Sequence, residues 1–449
     1  MNLKINKKKA VLTNNKNKTM KYNISLIEHQ TEQDIEDKLN NSYRNSLQEY
    51  LEKQKNNDLL QNVFNFTSKG IKANHYVGML IYKNYQFTIL PKLLNKENLS
   101  EKEKQDILKN LLYMLSLTKK LDIKESEIAK ISKNKNPFLE ILIKIYANSL
   151  FECLKRFVPK NYVTEEDNLN FLKGKLLFSK HIIKNSVNQS KFYCQYDEFS
   201  ENNLLNQLFY YVSRLLYFAS TDNENKKVLK FITDFFCDID FKKINIYKIK
   251  NLKLTKNQTA FQKPFDLAKM FLENSLIDMN QHKIKTISLL WDMNKLFEEF
   301  VFEFIKRNKG EINKNITEIK AQKHNKLLVC KDDNREYGNT YVDIFLTINK
   351  ETIILDTKYK LNNGDKKDFA NADIFQMLAY ETIHKTNKAV LIYPTIYNEN
   401  ININRYYFIE KKDKYIVTAT IYLGKDLQKD KQNLITRLSE ILQQTINIK

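Results

Sequence analysis

The sequence predicts a multidomain protein of mixed α+β and α/β class. A β-rich N-terminal domain is expected over 1–98, a mainly helical connecting region over 99–285, and a C-terminal domain over 286–449 with a mixed sheet flanked by helices. Three observations predict this. Short apolar runs separated by polar breaks dominate the first hundred residues. Apolar stripes at three- and four-residue spacing dominate the middle. From about residue 286 the order becomes α-β-β-β-α-β, which suits a mixed sheet between helices. A chain of 449 residues is long enough for two or three separate cores.

In the N-terminal part, His75–Tyr82, a Lys83-Asn84 break and Tyr85–Leu90 predict a hairpin stopped by Pro91. Gln33–Asn57 is polar, with Leu39, Tyr43, Leu47 and Leu51 at helical spacing, and reads as a solvated helix or as an arm reaching a partner. Ser100 with Glu103 forms a capping box for a helix over Glu101–Lys119. Asn136-Pro137 offers a cap and first-turn proline for a helix through Phe157. Asn202–Ala219, Lys226–Phe236 and Phe265–Asn274 continue the helical pattern. In the C-terminal part a helix is expected over Leu290–Arg307, then strands at Ile316–Lys323 and Lys326–Lys331, then a hairpin over Asp343–Lys360. A helix at Ala372–His384, strands at Ala389–Tyr393, Arg405–Ile409 and Tyr415–Leu423, and a final helix follow.

Composition narrows the function. The formal charge of +21 permits a nucleic-acid partner, but lysine is spread along the whole chain, so compositional bias explains it equally well. Mean hydropathy is negative and no apolar run approaches the roughly 20 residues of a membrane span. The basic N-terminus has no apolar core of a signal peptide, and four scattered cysteines read as buried free thiols, so a cytoplasmic protein is expected. Seven dispersed glycines cannot build a P-loop or a dinucleotide fingerprint. Six isolated histidines stand at no zinc spacing.

What remains is Asp343, Asp356 and Lys358. If Asn349-Lys350-Glu351 turns the chain, Asp343 comes to lie across from Asp356, and Lys358 shares a face with Asp356. Two close carboxylates repel unless a cation separates them. Their hard oxygens suit Mg²⁺, with Asp343 and Asp356 as its ligands and Lys358 beside a scissile phosphate. On the preceding helix, Met293, Leu296, Phe297, Phe300, Val301 and Phe304 form an apolar arc, with Glu298 on its border and Glu299 turned to solvent. Glu298 then either supports the site or forms a surface ion pair. Gln376 and Tyr380, four apart on the following helix, orient Lys358, grip a phosphate, or are ordinary core-edge residues. Lys306, Arg307 and Lys323 belong to a basic stretch that would track DNA or stand as solvated loops.

These residues resemble the PD-(D/E)xK nucleases, and within them the McrC family, the endonuclease subunits of McrBC-type modification-dependent restriction systems. Asp292-Met293-Asn294, Leu296-Phe297-Glu298 and Phe300-Val301 look like the segment leading into that family's nuclease helix. Phe171–Lys175 is similar to its LRGR-type stretch, and Phe192–Ser200 with Asn202, Asn203 and Asn206 to its C-x-x-DE-x-x-x-N region. Val77-Gly78 with Ile89–Lys92 resembles its N-terminal hairpin. Val342 replaces a proline, and Lys173 and Lys175 replace arginines. The resemblance implies a restriction-endonuclease-like C-terminal domain with Asp343, Asp356 and Lys358 at its core, supported by Glu298 and Gln376. It also implies cleavage of double-stranded DNA carrying methylcytosine, with an McrB-like AAA+ GTPase ring that this chain stimulates and contacts through residues 1–130. An inactive activator of that ring, and a stand-alone repair nuclease, are the alternatives.

Overall fold

Continuous apolar runs become strands covered on both faces in the computed structural model, which describes residues 22–29, 31–32, 41–54, 58–67, 70–83, 85–93, 100–130, 138–242, 244–278, 283–360, 370–395 and 402–448. The N-terminal elements are β1 (Tyr22–Ile27), β2 (Thr31–Glu32), α1 (Asn41–Glu52), α2 (Asp58–Gln61), β3 (Phe64–Thr67), β4 (Gly70–Ala73), β5 (Tyr76–Tyr82) and β6 (Tyr85–Leu90). β5 and β6 form the expected hairpin, with Lys83 in the left-handed region at its turn. Val77, Met79 and Ile81 of β5 face the main core, whereas Tyr76, Leu80 and Tyr82 face a smaller one shared with Leu47 and Leu51 of α1. The polar segment expected as a solvated helix or arm is therefore a packed helix over 41–52. Of its other residues, 33–40 and 55–57 lie outside the described residues, as does the Asn136-Pro137 cap.

The middle of the chain supplies α3 (Glu101–Leu117), α4 (Glu125–Lys130), α5 (Phe138–Leu154), β7 (Asn161–Leu169), β8 (Lys175–Leu176), α6 (Phe178–Asn185), β9 (Phe192–Ser200), α7 (Leu204–Ala219), α8 (Asn223–Asp234), α9 (Ile246–Lys250), α10 (Gln262–Glu273), β10 (Ser275–Asp278) and β11 (Lys283–Asp292). The Ser100–Glu103 capping box closes α3 as expected. Two features depart from the sequence reading. The region holds its own three-stranded sheet, β7-β9-β8. And β11 pairs with β5, so the five-stranded sheet β1-β6-β5-β11-β10 joins the first domain to a strand that crosses the expected 285/286 boundary. Hence 290–292 are strand, and the helix expected from Leu290 begins at Met293. The pairing is close: a Cβ on Gly78, whose φ is +124, would lie 2.1 Å from the Leu289 carbonyl oxygen, so only glycine fits there.

The C-terminal elements are α11 (Met293–Arg307), α12 (Lys309–Ile312), β12 (Ile316–Val329), β13 (Glu336–Ile348), β14 (Glu351–Thr357), α13 (Asn371–Ile383), β15 (Lys388–Thr395), β16 (Ile403–Phe408), β17 (Lys411–Tyr422) and α14 (Lys431–Ile446). They build the mixed sheet β12-β13-β14-β15-β17-β16, with β14-β15-β17 parallel and the rest antiparallel. The two strands expected at 316–331 are one long strand, and β13 begins seven residues before Asp343. α11 and α14 pack on one side of the sheet within the main core, and α13 packs on the other. Asn110 of α3 fastens the two halves: its Nδ2 donates to the Leu423 and Lys425 carbonyls, and its Oδ1 accepts from the Leu427 amide. Of the cysteines, Cys194 is buried, Cys153 and Cys330 are half-buried, and Cys237 is exposed rather than buried; all are free. Among the described residues no helix is long and apolar enough to cross a membrane.

Glu381 is buried on α13 with neither carboxylate oxygen hydrogen-bonded. Burial pushes its carboxyl up to about 8, against the pull of Lys414. The native state thus keeps a proton that the unfolded chain releases at an ordinary glutamate pKa. The contribution of this carboxyl to native stability is fully present below the ordinary glutamate pKa and is lost as pH rises from there through about 8. Glu381→Gln is expected to flatten the alkaline part of that loss and to raise Tm near pH 8.5. Calorimetric melts across pH check it; parallel declines in variant and wild type would contradict it.

Candidate active site

The site begins with a tight turn. Ile348 pairs with Glu351, so the hairpin loop is only Asn349-Lys350, and both have positive φ (52° and 72°). That is the type I′ geometry whose twist matches paired strands. Register then runs from the turn to Ile344 opposite Leu355. One step further, at the open end, stand Asp343 and Asp356. The β13–β14 ladder ends there, and the Thr357 backbone N–H (2.8 Å) and hydroxyl (3.0 Å) donate to Asp343 Oδ2. β14 meanwhile continues against β15, with Asp356 opposite Leu391. This buries Asp356 to 1 % exposure.

Lys358 lies on the same face as Asp356, its Nζ 2.7 Å from Asp356 Oδ2. It also donates to Gln376 Oε1 at 2.9 Å. Gln376 Nε2 in turn donates to the Tyr380 hydroxyl (2.8 Å), which donates to the Tyr341 carbonyl (2.7 Å). α13 thus holds the lysine through a relay anchored on the β13 backbone. Gln376→Ala is expected to lower turnover of whatever reaction Lys358 serves about tenfold by releasing the ammonium. Tyr380→Phe is expected to have a smaller effect; steady-state kinetics with melting controls distinguish these effects from misfolding.

Charge in the site is strained. Burial, and next the Asp343 charge, push the Asp356 carboxyl up to about 7, although Lys358 pulls it down. Burial also raises Asp343, against the Thr357 hydrogen bonds and Lys358. Burial works against the Lys358 charge, but Asp356, Asp373 and Asp343 outweigh it and raise its pKa. Glu298 comes to the same centre from α11: burial, and next Asp343, push it up to about 7, while Gln322 donates to its Oε1. Asp356 Oδ1 is buried with no hydrogen-bond partner, and the Thr357 clamp takes only Asp343 Oδ2. The two carboxylates therefore offer the unsatisfied oxygens a hard divalent cation would take. Among the described residues no three His, Cys, Asp or Glu side chains form a complete metal cage, so such an ion would complete its shell with water and substrate oxygens.

Several expected roles change. Tyr380 is buried, with its hydroxyl committed to Gln376 and Tyr341, so it holds Gln376 and does not grip a phosphate. Lys306 and Arg307 lie two turns past Glu298 and pair with Glu303; Arg307 also donates to the Leu117 carbonyl. Arg307 thereby ties the end of α11 to α3, while Lys306 pairs within α11. Lys323 places its Nζ 3.4 Å from the centroid of the Phe345 ring, on the α13 side of the sheet, not on an open basic track. Glu299, expected in solvent, pairs with Lys120.

Sequence reasoning missed Thr357, Gln322 and Asp373. Gln322 sits opposite Asp343 with a φ of +48°, and across that step the strand's alternation breaks. Val342 and Phe345 both pack with α13, whereas Ile344 and Leu346 pack with the main core. Asp373 caps the first turn of α13 and lies 3.8 Å from Lys358 Nζ. Only its place three residues after Ala370, at a helix start, was a signal.

The resemblance at 171–206 maps to a different place. Residues 161–200 form an arm in which Phe171, Leu172, Phe178, Ile182, Ile183 and Val187 are all more than half exposed. Gly174 makes the turn into β8 with a φ of +66°, and a Cβ there would lie 2.4 Å from the Gln195 carbonyl oxygen. Asn203 and Asn206 fasten its base, each donating to the Pro159 carbonyl. No large hydrophobic residue before Phe157 is comparably exposed among the described residues.

Residues 71–394 match the family model described as McrBC 5-methylcytosine restriction system component. No curated protein matches the chain. Among solved structures it is similar to a chain in a refined half-complex from a tetradecameric assembly of Thermococcus gammatolerans McrB AAA+ hexamers with bound McrC. That alignment has a TM-score of 0.68 and 23 % identity, and covers 94 % of this chain and 99 % of that one. A cryo-EM structure of the Thermococcus gammatolerans McrBC complex aligns with a TM-score of 0.48 and 25 % identity, over 64 % of this chain and 88 % of that one. The first likeness establishes a shared overall fold.

Proposed function

Since the chain belongs to the McrBC 5-methylcytosine restriction system component family, we propose that it is the Mg²⁺-dependent endonuclease subunit of a methylcytosine-directed restriction complex. In this reading it cleaves double-stranded DNA in the cytoplasm when assembled with a AAA+ GTPase ring that it also stimulates, and its C-terminal domain is of PD-(D/E)xK type. The observation that carries the reading is the convergence of Asp343, Asp356 and Lys358 at the open end of one hairpin, with a buried Asp356 oxygen left without a partner.

The residues divide the work. Asp343 and Asp356 would hold Mg²⁺, which when bound supplies Lewis-acid polarisation of a phosphate and a water of lowered pKa. Lys358 spends N–H bonds on Asp356 and Gln376, so its remaining proton is available to a phosphate oxygen or to the attacking water. Glu298, with its carboxyl near 7, can take a proton from a water at neutral pH. The positive charge of the chain favours an anionic polymer as substrate.

The Thermococcus gammatolerans assembly contains McrB AAA+ hexamers with bound McrC, and a similar ring is the partner proposed here. The absence of a P-loop in this sequence supports placing nucleotide hydrolysis on another chain. The contact surface proposed is the apolar arm 161–200, in place of residues 1–130, because exposed apolar patches mark binding sites. The test is cleavage of methylated DNA by the chain with its cognate GTPase, GTP and Mg²⁺. Cleavage only in the complete mixture is expected. Stimulated GTP hydrolysis without any nicking would make the chain an activator only, and cleavage without GTPase or GTP would make it a stand-alone nuclease.

A further inference from the structure

Two buried polar groups outside the site interact across the junction between the N-terminal and C-terminal sheets. Glu28, just past β1, is fully buried; its Oε1 accepts from the Lys92 amide at 2.8 Å, whereas Oε2 has no hydrogen-bond partner. Tyr359 follows Lys358 directly, and its buried hydroxyl likewise lacks a closed hydrogen bond. The two side chains act on each other: Tyr359 draws the Glu28 carboxyl down, against burial that holds it at about 7, and Glu28 raises the Tyr359 phenol. Lys92 and Asp292 are the other charged groups acting on Glu28.

The surroundings connect this pair to the site. The Glu28 amide donates to the Leu90 carbonyl at the end of β6, so the carboxylate is rooted in the N-terminal sheet. The Tyr359 ring packs against Phe297, 5.6 Å between centroids, beside Glu298 on α11. The Lys360 amide donates to the Lys358 carbonyl at 2.7 Å, which folds the backbone tightly around Tyr359, and the Lys358 amide donates to Ile392 of β15. A tyrosine held at its hydroxyl would therefore set where the Lys358 backbone leaves the strand. An unsatisfied buried donor facing an unsatisfied buried acceptor is costly unless the two meet.

We propose that Glu28 and Tyr359 are positioning residues for Lys358: the carboxylate receives the tyrosine hydroxyl and ties the N-terminal sheet to the turn that presents the lysine. The inference rests on the nuclease reading for its kinetic consequence, though not for its structural one.

The experiment uses the full chain with its GTPase partner, GTP, Mg²⁺ and methylated DNA, and compares wild type with Tyr359→Phe, Glu28→Leu and Glu28→Gln. Tyr359→Phe and Glu28→Leu are expected to lower kcat about tenfold with KM for DNA and GTPase stimulation unchanged. Glu28→Gln keeps its carbonyl oxygen as acceptor for the Lys92 amide and turns an N–H donor to the phenol oxygen, which accepts, so the link persists with its direction reversed and most of the turnover is expected to be retained. Hydrogen exchange of the 355–360 backbone, measured in the free chain, is expected to quicken in the first two variants and not in the third. Unchanged exchange and unchanged kcat in Tyr359→Phe would overturn the proposal. So would equal loss of kcat, KM, GTPase stimulation and Tm in all three variants, which is general destabilisation. If wild type cleaves nothing, the nuclease reading fails by itself, and the exchange result alone decides whether the pair orders the Lys358 turn.

Discussion

Asp356→Asn is expected to lower cleavage of methylated DNA by about 10³-fold or more, while GTPase stimulation stays within twofold of wild type. The amide keeps the shape of the carboxylate but removes the counter-charge of Lys358 and weakens the proposed metal ligand. The substitution sits between β13 and β15, far along the chain from the exposed arm at 161–200, so partner contact should survive. A metal readout separates chemistry from folding: Mg²⁺ is expected to raise the Tm of wild type and leave that of the variant unmoved. Because the Asp356 carboxyl is pushed up to about 7, the cation must displace a proton near neutrality, so its stabilisation should grow as pH rises through that value. Equal cleavage by variant and wild type would remove Asp356 from the chemistry.

Replacing Phe171, Leu172 and Ile183 together by serine is expected to abolish association with the GTPase ring and, with it, cleavage. Each side chain is more than half exposed, so truncation removes little native packing, and the Tm of the free chain should hold or rise. Buried interface anchors often contribute about 2 kcal/mol or more each, so the triple change should weaken binding at least 10³-fold. Titration calorimetry or co-elution with the ring measures it. Wild-type binding by this variant would return the contact to another surface, whereas lost binding with a lowered Tm would mean the arm had unfolded.

Much of the C-terminal domain was legible because its signals are local. A two-residue break between β-type runs sets register, and register alone puts Asp343 across from Asp356 and turns Lys358 to the same side. The apolar arc of α11 put Glu298 at the edge of the core, and four-residue spacing put Gln376 beside Tyr380. Other features depend on pairings distant in sequence. β11 joins β5 some two hundred residues away, and no composition shift at 285 marks it. The polar 41–52 helix looks solvated until its two leucines meet a sheet.

The sequence by itself determined the β5–β6 and β13–β14 hairpins, the Ser100–Glu103 helix cap, the missing nucleotide motif and the meeting of Asp343, Asp356 and Lys358. Periodicity and turn chemistry act over a few residues, so they are written into the chain. Only the tertiary structure decided which charges are used and which are spent. It buried Asp356 with Oδ1 left without a hydrogen bond, committed Tyr380 and Arg307 to backbone carbonyls, laid Lys323 on an aromatic ring, and left the arm's apolar residues uncovered. Burial and partner geometry belong to segments that meet only on folding, and the cost of an unpaired polar group exists only where water has been excluded.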